Sequence, residues 1–339
     1  MRKLVKLSFL IFFVAGLFYG KNFVYASNKN IFTISPLNPD TGEVMSNYFD
    51  LMVKPNEEKT LTIRVFNDSD KESNIVVSAN NGSTNDNGIT SYLGTEERDE
   101  TLKVAFTDLV NKKDQKITLA AHSHKDVSLH IKVPKESFEG EILGGIRVTS
   151  NNELNKETDE QNTSVSNNIA YTIGVVLRES TREILPEINL LGVKVEQRNS
   201  RNYISSNLQN RAPKIIKDLK VEQKIYVKGT DDTVYASSNS NMRMAPNSNF
   251  HYGVNLEDEP LKAGEYTIKI SGTADGTPFS FVKDFTIEAK EANEFNKNSI
   301  FVKDSNTTPS WTYLVIGVLL IIIIMGVYII LKGAKRSEE

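Results

Sequence analysis

A chain of 339 residues, 39% of them hydrophobic and none of them cysteine, has room for two or three folded domains and excludes disulfide frameworks and thiol nucleophiles. The net charge of −3 conceals an asymmetry: residues 1–26 carry +4 and residues 332–339 carry +1, which leaves −8 on the body between them. A body of that sign has no bulk attraction for nucleic acid, so nucleic acid is excluded as its partner.

Residues 1–26 read as a secretory signal. Arg2, Lys3 and Lys6 form a positive start, Leu7 to Gly20 an apolar run, and Val24-Tyr25-Ala26 places small or slim residues at −3 and −1 of a cut before Ser27. An uncleaved anchor is the alternative. The body that follows reads as all-β. Leu61, Ile63 and Val65 alternate with Thr62 and Arg64, and Val127, Leu129, Ile131 and Val133 alternate with Ser128, His130 and Lys132. Leu219, Val221, Ile225 and Val227 keep the same period, with Gln223 as the one polar break, and Tyr266, Ile268 and Ile270 keep it again. A period of two is what a strand with one buried and one wet face requires. Turn clusters such as Asn67-Asp68-Ser69-Asp70, Asn80-Asn81-Gly82 and Asp231-Asp232 separate these runs. Many short strands with frequent turns predict two tandem immunoglobulin-like β-sandwiches, over residues 27–184 and 185–290. Ile142 to Thr149 and Ile169 to Leu177 read as the last strands of the first. The polar stretch Ser150 to Asn168 between them cannot build a core, so disorder is favoured over a functional loop.

Residues 291–310 read as a polar linker, and 311–331 as a C-terminal transmembrane helix. Trp311 to Leu331 has no charged side chain, and a helix of that length spans about 30 Å, the hydrocarbon thickness of a bilayer. Trp311 and Tyr313 sit at one end and Tyr328 near the other, and Lys332, Lys335 and Arg336 place the tail, residues 332–339, in the cytoplasm. The expectation is a single-pass protein of the cell membrane with an extracellular body. A buried core helix is the alternative.

The chemistry-bearing residues do not assemble into a catalytic, cofactor or metal site. His122-Ser123-His124 lacks further zinc ligands, and His130 and His251 read as structural. The pairs Glu96/Glu97 and Glu139/Glu141 read as surface carboxylates, since a glycosidase dyad needs them to converge across a cleft. GxSxG, SxxK and P-loop motifs are absent. The reading is a protein that is not an enzyme and needs no cofactor. Thr84-Asn85-Asp86-Asn87-Gly88 partly resembles a calcium loop but lacks its full spacing and closing Glu; an ordinary Asn-Gly turn is the other reading. Aromatic faces beside amide hydrogen-bonders are what glycan recognition uses, which makes Tyr48, Phe49, Asn85, Asn87 and Tyr92 the candidate binding residues. Each is equally readable as core or turn. Gly144-Gly145 interrupts the alternation of its strand, and a bulge is expected at Gly145. Pro246 suits an edge or a turn.

Several longer motifs carry a family resemblance. Tyr48-Phe49-Asp50-Leu51, Lys54-Pro55-Asn56 and the run LTIRVFNDS resemble the opening of the WxL-interacting protein family. So do Thr84 to Ile89, Phe138-Glu139-Gly140 with Ile142 to Ile146, and Ile169 to Val175. In the second half Pro186 to Leu190, Asn207 to Asn210, Met244 to Phe250 and Gly264-Glu265-Tyr266 are similar as well. The resemblance implies a Gram-positive cell-surface protein, with which the lack of cysteine agrees. It implies a first domain that binds peptidoglycan, a second that binds host extracellular-matrix proteins, and WxL-domain surface proteins as partners. The mechanism would be tethering, in which linkage of two weak sites raises the local concentration of the second contact to roughly millimolar. A strand added to a sheet edge is a further mode. The rival readings are a host-directed adhesin whose first domain is only a spacer, and an enzyme acting on peptidoglycan.

Overall fold

The computed structural model describes residues 32–46, 48–150, 169–302 and 315–325. The expected signal and its cut, the stretch 151–168 and the tail 332–339 lie outside the described residues. The chain forms two compact units. Unit 1 holds the chain up to Gly82, Tyr92–Thr95 and Val104–Thr181; unit 2 holds Ser83–Ser91, Glu96–Lys103 and the chain from Arg182 on.

Unit 1 is built on two sheets. In chain order its strands are β1 (Phe32–Leu37), β2 (Phe49–Met52), β3 (Glu58–Asn67) and β4 (Ser73–Asn81), and, after a one-turn helix α1 (Phe106–Leu109), β7 (Asp114–Leu119), β8 (His124–Lys132), β9 (Glu141–Ser150) and β10 (Ala170–Arg178). The order β1-β3-β8 makes one sheet and β2-β10-β9-β4-β7 the other; only β2 and β10 run parallel. The alternation in β3 and β8 does what it must: Leu61, Ile63, Val65, Val127, Leu129 and Ile131 are buried. They join Phe32, Phe49, Ile75, Val77, Ile146, Val148, Val175 and Leu177 in one cluster fed by both sheets. The turn after β3 is organised by Asn67, itself buried. Its amide donates to the carbonyls of Lys71, Leu119 and Ala120, and its Oδ1 accepts from Ser69 and Ser73.

Unit 2 opens with the hairpin β5 (Ser83–Thr84) and β6 (Thr90–Ser91). It continues with β11 (Ile188–Arg198), β12 (Arg201–Asn210), β13 (Ile216–Val227), β14 (Thr233–Met244), β15 (Ser248–Asn255), β16 (Gly264–Ala274), β17 (Thr277–Ile287) and the helix α2 (Ala289–Asn298). The sheets β11-β12-β15 and β14-β13-β16-β17 are antiparallel throughout. Leu219, Val221, Ile225, Tyr266, Ile268 and Ile270 enter its core, whereas Val227, at the end of β13, is 40% exposed. Gln223, the polar break in β13, is nonetheless buried; its Oε1 accepts from Ser206 Oγ at 2.7 Å, so the amide is carried inside at no orphaned oxygen. Pro246 sits in the turn between β14 and β15, as expected.

Three expectations are corrected. The bulge at Gly145 is absent: the register of β9 against β10 and β4 runs through Gly144 and Gly145 without a shift. The glycines serve close approach instead, since a Cβ on Gly144 would lie 2.1 Å from Phe106 Cδ1 and one on Gly145 would lie 2.6 Å from Tyr92 Cδ1. The linker expected over 291–310 begins as helix α2, because Ala292 is buried, Phe295 packs on the core, and Asn296 exchanges hydrogen bonds with the backbone of Leu261; residues 303–310 lie outside the described residues. The transmembrane helix over 311–331, and with it the single-pass membrane localisation, is not supported. Among the described residues no helix is long and apolar enough to cross a membrane, a finding that does not bear on β-barrels. Within that stretch residues 315–325 are helical. Residues 311–314 and 326–331 lie outside the described residues.

Candidate functional site

Unit 1 presents one unusual surface, the outer face of its larger sheet. Ile173, Val175 and Leu177 of β10 and Ile146 and Val148 of β9 point into the core, so Gly174 and Gly145 face outward by the two-residue period. These glycines are cross-strand partners. Two tyrosines occupy the space they leave. The Tyr92 ring lies on Gly145, its hydroxyl reaches the position of a Cβ on Gly174 at 3.5 Å, and Tyr48 Cβ reaches the same point at 3.5 Å. Tyr92 is half-buried and fixed by its carbonyl, which accepts from Asn80 Nδ2 at 2.8 Å. Tyr48 is half exposed and leaves ring surface to a partner. Farther along the same face Arg178 bridges Asp50 of β2 and Glu141 of β9, at 3.1 and 3.0 Å. The face thus combines aromatic surface with charged hydrogen-bonders.

Unit 2 carries a cleft of about 620 Å³. Its floor is the outer face of β12 and β15, where Asn207 and Gln209 stand opposite His251 and Asn249. Thr84 to Asp86 and Glu96 to Glu100 form its walls, and Leu191, where the β11 register slips, stands at its side. Asp99 fastens the wall to the floor. It is 6% exposed and accepts hydrogen bonds from Gln209 Nε2, Asn249 Nδ2, and the backbone N–H and hydroxyl of Thr101. Burial pushes its carboxyl up, but the hydrogen bonds from Thr101, Asn249 and Gln209 outweigh burial and hold it below the usual range. Asp86 is held low in the same manner: burial opposes, while His251 and the Arg198 charge prevail.

A pH prediction follows from Asp99. A carboxyl whose folded value lies below its unfolded value of about 3.9 contributes stability that is present above that value and is lost as pH falls through the folded one. Asp99→Asn is expected to cost unit 2 about 2 kcal/mol at pH 7, the worth of hydrogen bonds to a buried charge, and to flatten its loss of stability in acid. Hydrogen exchange of the β12 and β15 amides, measured at pH 7 and across the acid range, checks both. Equal protection in the variant and the parent at pH 7 would contradict the assignment.

The five candidate binding residues have separate fates. Tyr48 and Tyr92 both approach Gly174 on the outer face of unit 1, Tyr48 through its Cβ and Tyr92 through its hydroxyl. Phe49 is fully buried in the unit 1 core and is corrected to a packing residue: it faces inward from β2 while its neighbour Tyr48 faces out. Asn85 lines the unit 2 cleft, but its Oδ1 accepts from the N–H groups of Asn87 and Ile89, a local turn closed by Gly88 at φ +67°. Asn87 sits in that turn and does not line the cleft. The turn reading of Thr84 to Gly88 therefore accounts for the geometry. His122 pairs with Asp70 at 2.9 Å, His130 Nδ1 with Thr60 Oγ1 at 2.9 Å, and among the described residues no group of three or more His, Cys, Asp or Glu gathers to hold a metal. Asp99, Gln209 and Asn249 were not singled out by sequence as site residues. The one signal for them was the amide-rich run Asn207 to Asn210.

Comparison with known proteins bears on both units. Residues 32–150 match the family model described as WxL Interacting Protein, peptidoglycan binding domain, and residues 160–297 match that described as WxL Interacting Protein, host binding domain. No curated protein matches the chain. Among solved structures, the E. coli chaperone DraB is 14% identical, with 76% of this chain and 100% of DraB covered and a TM-score of 0.28. The class 5 fimbriae chaperone CfaA is 16% identical, with 74% and 98% covered and a TM-score of 0.26. TM-scores this low carry no argument about the chain.

Proposed function

Because the chain belongs to the WxL-interacting protein family, we propose that it is a non-catalytic cell-surface protein that grips peptidoglycan through unit 1 and a host protein through unit 2. The observation that carries this reading is the succession of the two matched models, both of binding domains, along one chain. On unit 1 the reading places the glycan on Tyr48 and Tyr92, where an exposed ring over bare backbone suits stacking against a sugar face. A WxL-domain surface protein is the partner the family description suggests; co-purification from the native surface tests it. Each unit is read as an immunoglobulin-like sandwich, supported by two sheets feeding one buried cluster.

Cosedimentation with purified wall sacculi tests the glycan surface. Tyr48→Ala is expected to weaken retention about fivefold, the worth of about 1 kcal/mol of aromatic contact, while Tyr48→Trp retains it. Unchanged retention in Tyr48→Ala would move the contact elsewhere on unit 1. Failure of the parent chain to bind sacculi, with binding to matrix proteins intact, would favour the spacer reading of unit 1.

A further inference from the structure

We infer that Arg147 of unit 1 holds a carboxylate of the wall peptide attached to the sugar that lies on Tyr48 and Tyr92. The inference rests on the peptidoglycan reading of this unit and deepens it: the ligand is a glycan carrying an acid, not a neutral sugar. Ile146 and Val148 are fully buried, so Arg147 between them faces outward from β9, the middle strand of the larger sheet. It is half-buried, and among the described residues it has no hydrogen bond, ion pair or ring contact. Other arginines of this chain are matched. Arg64 has Asp126 as its cross-strand partner and is bonded to both of its oxygens. Arg178 has Glu141 opposite and Asp50 beside it. In unit 2 Arg198 is met by Glu196, Arg211 by Glu187, and Arg201 stacks on Phe301.

Arg147 instead has Ser78 of β4 on one side and Thr172 of β10 on the other. Among the described residues neither hydroxyl has a hydrogen-bond partner. The row of three offers donors and no negative charge. Asp114 and Lys116 stand one strand farther out, on β7, and offset each other. The row is continuous with the tyrosine surface. Thr172 Cγ2 reaches the position of a Cβ on Gly145 at 2.9 Å, and the Tyr92 ring reaches the same position at 2.6 Å. Arg147 follows Gly145 by two residues on the same face, about 7 Å along the strand. A sugar lying on the rings thus has a guanidinium within reach of its substituent. Guanidinium and carboxylate are both planar forks and meet through two parallel N–H···O bonds, which the flanking hydroxyls supplement. A neutral sugar leaves the cation unmatched, and an ammonium meets like charge.

The test is cosedimentation of the full chain with purified sacculi, the parent against Arg147→Gln and Arg147→Lys. The sacculi are used as isolated, with their carboxylates amidated by carbodiimide and ammonium, or stripped of phosphate polymers in cold hydrofluoric acid. On isolated sacculi Arg147→Gln is expected to weaken retention about tenfold, the worth of charge-assisted hydrogen bonds. Arg147→Lys, which keeps the charge and loses the fork, should weaken it less. Amidation should weaken the parent as much as Arg147→Gln does. On amidated sacculi parent and Arg147→Gln should then be retained alike, because the two changes remove one contact. Stripping should leave the parent's retention unchanged. Full retention of Arg147→Gln on isolated sacculi overturns the proposal. Weaker retention of Arg147→Gln than of the parent on amidated sacculi also overturns it, since the variant then loses something other than a carboxylate. A loss on stripping does the same, since the anion would be a phosphate. A parent that binds no sacculi removes the glycan reading; a parent that binds them and is weakened by neither change removes this inference alone.

Discussion

A fragment holding residues 182–302 alone is expected to unfold at a far lower urea concentration than unit 2 does in the whole chain. Residues 83–91 and 96–103 belong to the compact body of unit 2, and they are bonded to it by specific groups. Asp99 accepts from Gln209 and Asn249, and Thr84 Oγ1 pairs with Ser248 Oγ at 2.6 Å and accepts from the Ala245 N–H. The Gly88 carbonyl accepts from the Arg243 N–H, and Asp86 from that of His251. In the fragment these six donors and acceptors meet water, so each costs only the net worth of a hydrogen bond, about 1 kcal/mol. Their sum, about 6 kcal/mol, is comparable to the whole stability of an ordinary domain, 5–15 kcal/mol. Met242, whose side chain presses on Gly88, would lose its cover as well. Circular dichroism against urea measures the loss, and a synthetic peptide of residues 83–103 added in trans should recover part of it. A fragment as stable as the parent would show these segments to be passengers.

The second large effect concerns Gly144. Replacement by Ala is expected to cost unit 1 about 3 kcal/mol, the upper end for overpacking a core. The added Cβ would stand 2.1 Å from Phe106 Cδ1, 2.2 Å from its Cγ and 2.5 Å from its Cβ. A ring blocked at its root cannot rotate away, so α1 or β9 must move. Gly145→Ala makes a useful contrast. Its Cβ meets the ring of Tyr92 and the methyl of Thr172; Tyr92 is only half-buried and can swing, so about 1 kcal/mol is expected. Phe106→Ala, which removes the Cγ and Cδ1 that the new Cβ would strike, should recover part of the Gly144→Ala loss and none of the Gly145→Ala loss, as a double-mutant cycle by urea unfolding would read.

Much of the fold was legible because its signals are local. The alternation of Leu61, Ile63 and Val65 fixes which side of β3 is buried, and the chain has no means of hiding it. The same period misled at Gly144-Gly145, where two small residues in succession break the pattern whether the strand bulges or an aromatic ring presses on it; only the neighbours Phe106 and Tyr92 decide. Phe49 was misplaced because β2 has four residues, too few for a period to tell which of Tyr48 and Phe49 faces the core. Ala292 and Phe295 gave α2 a packing face that a polar composition concealed. The apolar run near the end gave length and hydropathy, which describe a solvent preference and do not by themselves establish a helix of that extent. The cleft lay furthest from reach. Its polar walls read as turns, and the groups that give them meaning are 110 to 165 residues away in sequence.

That separation sets a timetable. During synthesis Thr84 and Asp99 leave the ribosome long before Ser248 and Asn249 exist, so two stretches of chain must wait, solvated and unpaired, for more than a hundred further residues. Closing loops of that span is entropically slow. In unit 1 a span of that length is closed where β2 joins β10, whereas β3 with β8 and β4 with β9 join over much shorter ones. Refolding of the whole chain should therefore show an early phase in the amides of β3, β8 and β9, and a later one in which β12, β15 and the 83–91 hairpin gain protection together.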